Sequence, residues 1–245
     1  MQLLNEKIAL ITGGSSGIGF AIAKKFAESG ATLILLGQNE EKGKNALKAL
    51  PEGKAFFYAV DVSHTDLVDQ LIKDLLNKFG RIDILVNNAG ITRDELLMKM
   101  KEEDWDLVLD TNAKSCFNLC RALSRFMLKA RKGKIINISS VIGLIGNPGQ
   151  ANYAASKGAI NALTKALALE FATRNVQVNC VAPGFIHTPM TDQLNEAQKE
   201  AILAKIPVKR MGTPEEVANA TLFFASSLSD YITGQILVVD GGMVM

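Results

Sequence analysis

The chain is poor in the features that mark several large protein classes. It has three cysteines in 245 residues, Cys116, Cys120 and Cys180. So odd and sparse a set builds no disulfide framework, and no histidine or further cysteine stands beside the Cys116/Cys120 pair to complete a metal site. They are read as buried core thiols in a reducing, cytoplasmic setting, and no metal is expected. Charge of one sign is also lacking. With 27 Lys+Arg against 25 Asp+Glu the formal net charge is +2, too small to point to nucleic acid or a membrane surface as the main partner. No apolar run has the length of a membrane span. No basic leader with a long apolar stretch precedes the first strand-like run, so no signal peptide is expected, although a removed transit peptide would leave the same mature chain. Repeats, low-complexity tracts and linker-like stretches are absent too, which favours one domain over residues 1–245.

What is present is a globular balance of 48% hydrophobic and 21% charged residues, arranged in alternating patterns. Short apolar runs at 8–12, 32–36, 55–60, 82–86, 134–138, 176–182 and 235–239 read as strands. Helical spacing is seen at 18–28, 40–50, 66–79, 102–130, 151–173 and 214–226, for example Leu67, Leu71, Leu75 and Phe79 on one face. Continuous apolar strands alternating with helices predict a parallel sheet covered on both faces, an α/β doubly wound, Rossmann-like fold of about seven strands. The one long turn-rich stretch, 183–213, carries Pro183, Pro189 and Pro207 and is expected to be a substrate lid.

The first strand runs into Thr12-Gly13-Gly14-Ser15-Ser16-Gly17-Ile18-Gly19, which opens the first helix. Gly13, Gly17 and Gly19 allow a tight turn and close approach to a pyrophosphate, which the free N–H groups and partial positive charge of a helix start would hold. Tyr153 and Lys157 stand four apart, on one face of a helix. A free phenol titrates at about 10, too high for ready proton exchange at neutral pH, and a neighbouring ammonium is expected to lower it. Ser140 ends a strand where its hydroxyl could donate to a carbonyl oxygen. Ser139 competes for that role, but strand alternation sends the two side chains opposite ways.

The G-x-x-x-G-x-G spacing, Asn87-Asn88-Ala89-Gly90, Tyr153-Ala154-Ala155-Ser156-Lys157 and Pro183-Gly184 followed by Thr188 together resemble the short-chain dehydrogenase/reductase family over nearly the whole chain. The resemblance picks Ser140 over Ser139, and implies that Asn112 bends the long helix and holds a water-linked proton path to Lys157. It places the cofactor on Gly13, Ser15, Ser16, Gly17, Ile18 and Gly19, then on Asn88, Ala89 and Gly90. Pro183, Gly184, Ile186 and Thr188 would lie beside the nicotinamide, with Tyr153 and Lys157, and Asp61-Val62 beside the adenine. Gly37-Gln38 after the second strand offers neither the acid that binds ribose hydroxyls nor an arginine for a 2′-phosphate. With no acid to repel a phosphate, and with Ser15, Ser16, Gln38 and Asn39 able to bond one, NADP(H) is expected over NAD(H).

Residues 143–157 (GLIGNPGQANYAASK), 181–190 and 231–243 resemble the 3-oxoacyl-[acyl-carrier-protein] reductases of bacterial-type fatty acid synthesis. That implies reduction of a 3-oxoacyl thioester on an acyl carrier protein, with Tyr153 as proton donor. A 3-oxoacyl-CoA or another small ketone is the alternative substrate. A protein that kept the fold but lost catalysis would be expected to have lost one of Asn112, Ser140, Tyr153 or Lys157, and all four are present. Arg131 and Arg174 match the family's docking arginines for the acidic carrier, and equally read as ordinary solvent-exposed charge near helix ends. The small-residue helix 151–173 and the apolar end Gly241-Gly242-Met243-Val244-Met245 resemble the surfaces through which the family forms homotetramers. His64 reads as a neighbour of a helix start and His187 as an exposed loop residue.

Overall fold

Each short apolar run of the sequence becomes a strand, because burial on both faces suits Val, Ile and Leu without alternation. A computed structural model describes residues 2–189, 191 and 196–244, with the backbone alone for residues 196–198. The strands are β1 (Ile8–Thr12), β2 (Thr32–Gly37), β3 (Ala55–Ala59), β4 (Ile84–Asn87), β5 (Gly133–Ile138), β6 (Val176–Pro183) and β7 (Ile236–Val239). They form one seven-stranded sheet in the order β3-β2-β1-β4-β5-β6-β7, parallel throughout. This is the Rossmann-like α/β architecture expected from the alternation.

The helices are α1 (Gly17–Glu28), α2 (Glu40–Lys48), α3 (Thr65–Phe79), α4 (Glu102–Leu109), α5 (Ser115–Ala130), α6 (Ile142–Ile145), α7 (Ala151–Phe171), α8 (Glu196–Lys205) and α9 (Pro214–Ala225). Strand alternation splits the core in two. Ala9, Ile11, Leu33 and Leu35 meet α1 and α9 through Ile22, Phe26, Val217 and Leu222 on one face. Leu10, Ile34 and Leu36 meet α3, α5 and α7 through Ile72, Leu75, Leu119, Leu123 and Ile160 on the other. Each such aliphatic side chain contributes about 1.5–3 kcal/mol when fully buried.

The expected helix over 102–130 is continuous but not uniform, since residues Asp110–Lys114 form a π turn between α4 and α5. The stretch read as irregular, 183–213, contains α8. That helix carries little apolar patterning, so its period was hidden among turn residues. Residues 190 and 192–195 of the expected lid lie outside the described residues. α9 starts as its sequence dictates, with Pro214 in the first turn and a capping box in which Thr213 and Glu216 satisfy each other's backbone N–H groups.

The order of strands reverses between β1 and β4, and the chain leaves those two strands in opposite directions across the sheet. A crevice opens above their carboxyl ends, where ligands of doubly wound sheets bind.

Candidate active site

At that switch point Thr12 fastens the two strand ends together. Its Oγ1 accepts the N–H groups of Asn88 and Ala89 at 2.9 and 2.8 Å, and Asn88 Nδ2 donates back to the Thr12 carbonyl at 3.0 Å. The turn that follows needs glycine for distinct reasons. Gly13 and Gly17 have φ of 62° and 53°, and a Cβ on Gly19 would stand 2.2 Å from the Gly13 carbonyl oxygen. Ser16 occupies the N-cap of α1 in an extended conformation, yet its side chain caps nothing. The first N–H groups of α1 are therefore open to an anion from outside the chain. A cradle that any Cβ would fill, ending on uncapped helix donors, fits the pyrophosphate of a dinucleotide.

The wall above the cradle comes from the ends of four strands and from α7. Gly13 and Ser16 follow β1, Gly17 and Ile18 open α1, and Asn88, Ala89 and Gly90 follow β4. Ser139 and Ser140 follow β5, Pro183, Gly184, Ile186 and Thr188 follow β6, and Tyr153 and Lys157 project from α7. Ser139 Oγ donates to the Lys157 carbonyl at 3.1 Å, which spends its hydroxyl on holding α7 to β5. Ser140 Oγ accepts the Ile142 N–H at 3.1 Å, keeping its own proton available, and hydrogen bonding to Ser140 pulls the Tyr153 pKa downward.

Lys157 is buried, its Nζ 2.8 Å from the Ile138 carbonyl oxygen and 5.6 Å from the Tyr153 ring centroid. Burial lowers its pKa to about 8. Burial also pushes Tyr153 up to about 12, with Asp94 adding to the rise. The expectation that the ammonium would depress the phenol is therefore corrected. Desolvation of the phenolate outweighs every other influence on Tyr153, and Lys157 is not among the groups that shift it.

Asn112 sits in the π turn, 1% exposed. Its Oδ1 accepts the Ile91 N–H at 2.8 Å, and its Nδ2 donates to the Ile91 carbonyl at 3.1 Å and to Ser156 Oγ at 2.9 Å. Gly90 lies between Asn112 and Lys157, since a Cβ there would be 3.2 Å from Asn112 Oδ1 and 3.4 Å from Lys157 Nζ. The π turn thus brings Asn112 behind the cleft wall, beside Gly90 and Lys157.

Five residues expected to bind cofactor do not line this wall: Ser15, Gly19, Gln38, Asp61 and Val62. Gly19 supports the cradle from within α1. Ser15 lies near β2, its Oγ 3.6 Å from a Cβ built on Gly37. Gln38 is exposed after β2. Asp61 accepts from the Ser63 N–H and hydroxyl at 2.9 and 2.7 Å, and its pKa is lowered, burial being outweighed by these bonds. Val62 is buried, with its carbonyl held by Asn118 Nδ2 at 3.1 Å. Asn39, considered as a phosphate ligand, instead caps α2 by accepting the Lys42 N–H at 2.8 Å.

Arg131 and Arg174 come together at the other end of the sheet, at the C-terminal ends of α5 and of the helical turn after α7, with Arg131 Nη2 donating to the Thr173 carbonyl at 3.0 Å. His64 is the N-cap residue of α3, and His187 is exposed. All three cysteines are buried. Among the described residues no group of three or more His, Cys, Asp or Glu side chains could hold a metal, and no helix is long and apolar enough to cross a membrane.

Sequence reasoning passed over Thr12 and Asn152. Asn152 is fully buried, accepts the Tyr153 N–H at 2.7 Å and donates to the Arg93 carbonyl at 2.9 Å. Its only signal in the sequence was an amide directly before the tyrosine.

A family model described as "Enoyl-(Acyl carrier protein) reductase" matches residues 13–244. The chain is 54% identical to a protein of Chlamydia muridarum named 3-oxoacyl-[acyl-carrier-protein] reductase FabG, over 99% of both chains. It is 49% identical to the protein of the same name from Thermotoga maritima, again over 99% of each. A crystal structure of a putative gluconate dehydrogenase from Agrobacterium tumefaciens superposes with a TM-score of 0.96 at 34% identity, covering 100% of this chain and 99% of that one. Matched along its whole length, with the glycine cradle and the Tyr153/Lys157 wall in one cleft, the chain belongs to the short-chain dehydrogenase/reductase family.

Proposed function

We propose that the protein catalyses the NADPH-dependent reduction of a 3-oxoacyl thioester on an acyl carrier protein to the 3-hydroxyacyl form. The observation that carries this reading is the convergence of Ser140, Tyr153 and Lys157 on one wall, directly above a cradle that fits a dinucleotide pyrophosphate. The relatives at 49–54% identity carry the 3-oxoacyl-[acyl-carrier-protein] reductase name.

When bound, the nicotinamide supplies the hydride. The chain supplies the rest. Ser140 orients the substrate carbonyl and stabilises charge growing on its oxygen. Tyr153 gives that oxygen its proton, a role that suits a phenol kept protonated by burial. Lys157 holds the nicotinamide ribose and returns a proton toward Tyr153, and Asn112 completes the relay from the π turn. The described part of the 183–213 stretch borders the cleft through Ile186, Thr188, Pro189 and Thr191 and would serve as a lid, anchored where Ile186 pairs with Gly212 and Gly212 donates to the Phe185 carbonyl at 2.9 Å. A phosphate on the adenosine ribose is favoured because Gly37 and Gln38 place no acid after β2. Arg131 and Arg174 receive the acidic carrier, and the protein works as a cytoplasmic homotetramer of single-domain chains.

The deciding experiment is turnover of a 3-oxoacyl carrier-protein substrate, once with NADPH and once with NADH. The expected result is faster reduction with NADPH and with the carrier-bound substrate than with its CoA counterpart. Equal or better turnover with NADH would refute the cofactor assignment, and preference for CoA or a small ketone the substrate assignment. Charge reversal at Arg131 and Arg174 should raise KM for the carrier substrate. Unchanged carrier-linked turnover in that variant would end the docking assignment.

A further inference from the structure

A parallel sheet has a second edge. The N-terminal ends of β1, β4, β5 and β6 lie opposite the cleft of Tyr153, and a cavity of about 320 Å³ opens there. Its wall carries Lys7 just before β1, Lys132 and Lys134 around the start of β5, and Arg131 after α5. Two carboxylates share the wall, and both are engaged. Asp83 accepts from Arg81 Nε at 3.1 Å and from the Ile8 N–H at 3.0 Å, while Asp230 pairs with Lys134 at 2.8 Å. The Arg131 guanidinium donates to a neutral acceptor, the Thr173 carbonyl. Lys7, Arg131 and Lys132 therefore share one cavity without a carboxylate partner in ion-pair range among the described residues.

Lys7 and Lys132 line the same cavity, and burial together with the nearby Lys132 charge holds the Lys7 pKa below the ordinary lysine value, against the opposing pull of Asp83. Like charges gathered in a concavity are a cost that a bound anion relieves. Asn175 Nδ2 donates to the Arg131 carbonyl at 3.2 Å, and Gln177 Nε2 to Asn175 Oδ1 at 3.2 Å, so the cavity rim around Arg131 is braced.

We propose that this cavity is a binding site for a small multivalent phosphate, of the diphosphate class. Two lysines and an arginine lining one cavity match a polyanion rather than a single carboxylate, and phosphate oxygens take both kinds of donor. The site lies at the opposite edge from the glycine cradle, so it is separate from the nucleotide site. Because Arg131 also belongs to the surface proposed for carrier docking, occupancy hinders the carrier. That consequence alone rests on the docking reading.

The test is calorimetric titration of inorganic diphosphate into the full chain at low ionic strength, with sodium chloride of matched ionic strength as control. Saturable binding is expected, together with a rise in Tm beyond the salt control. The Lys7→Ala/Lys132→Ala double variant should bind about tenfold more weakly or worse, the scale of losing a charge-assisted hydrogen bond. Its Tm response to NADPH and its turnover of a carrier-free substrate should be unchanged. Arg174→Glu, outside the cavity wall, should still bind diphosphate whether or not the carrier docks on it. No saturable binding above the salt control, equal binding by the double variant, or loss of diphosphate binding when NADPH saturates the protein would each overturn the proposal.

Discussion

Lys157 is 3% exposed and its ammonium meets one carbonyl, that of Ile138. With its folded pKa lowered to about 8, the unfolded chain binds more protons than the folded one from there up to the unfolded value of about 10.4. This lysine therefore works against folding below pH 8, and the penalty fades as pH rises through that window. Tyr153 has the opposite sign, because its folded pKa of about 12 lies above the unfolded value. Its contribution is full below about pH 10 and is lost as pH rises toward 12. Lys157→Met should accordingly raise stability at pH 7 by on the order of 1–2 kcal/mol, seen in denaturant melts, while turnover disappears. A destabilised variant would show that the ammonium is better solvated than its burial indicates. In the wild type, kcat/KM should fall along a single ionisation near pH 8 as the lysine discharges, with Tyr153 protonated throughout. A falling limb centred below pH 7 would assign the titration to another group. Tyr153→Phe should lower kcat by about 100-fold or more while leaving NADPH binding, followed by fluorescence, intact.

At the scale of elements, the π turn at Asp110–Lys114 determines whether the long helix can serve the site. Asn112 anchors it through both backbone groups of Ile91 and through Ser156. Asn112→Ala leaves the half-buried Ile91 backbone groups without their side-chain partner, so a loss of about 1–3 kcal/mol in urea unfolding is expected. The kcat should fall more than KM rises, because the wall behind Lys157 shifts while the glycine cradle does not. An Asn112→Ala variant with wild-type stability would contradict this account. Whereas the bend at Asn112 came only from the family resemblance, the sequence predicted the seven strands and the helices that carry an apolar stripe, because those features are written in local spacing. It did not reveal α8, whose residues present no clear stripe. Nor did it reveal the Thr12 clamp or the Asn152 bridge to Arg93. A threonine at a strand end and an amide in a helix look ordinary until the fold brings the main chain of residues 76 and 59 positions away to meet them. The direction of the Tyr153 shift was missed for the same reason. Spacing gives proximity, whereas burial is set by the whole fold.

The whole molecule leaves apolar surface that one chain does not cover. Phe117 on α5 is 48% exposed and Leu169 on α7 is 83% exposed, and Phe117, Ile160 and Leu163 line a hollow flanked by the small residues Ala113 and Ala159. Small residues let helices approach closely, and an isologous contact would set the α5 and α7 faces of two copies against each other. Contiguous apolar surface of this kind marks an interaction site on a folded protein. One isologous contact closes a dimer, and the expected tetramer needs a second two-fold contact as well. Light scattering at micromolar concentration should give a mass near four times the 26.4 kDa of one chain only if both form. Phe117→Glu places a charge in that hollow, which a copy docked there would have to desolvate. It should lower the mass toward a dimer or monomer and lower Tm with it, while the circular dichroism of the single chain stays that of an α/β fold. Because Arg131 and the Tyr153 cleft lie at opposite edges of one sheet, a carrier docked on one chain is directed away from that chain's own cleft. Assembly would then matter for carrier-linked turnover and not for a small free ketone. A Phe117→Glu variant that loses both activities equally would show that the interface acts on folding rather than on substrate delivery, and a wild-type chain that is monomeric at micromolar concentration would remove the assembly altogether.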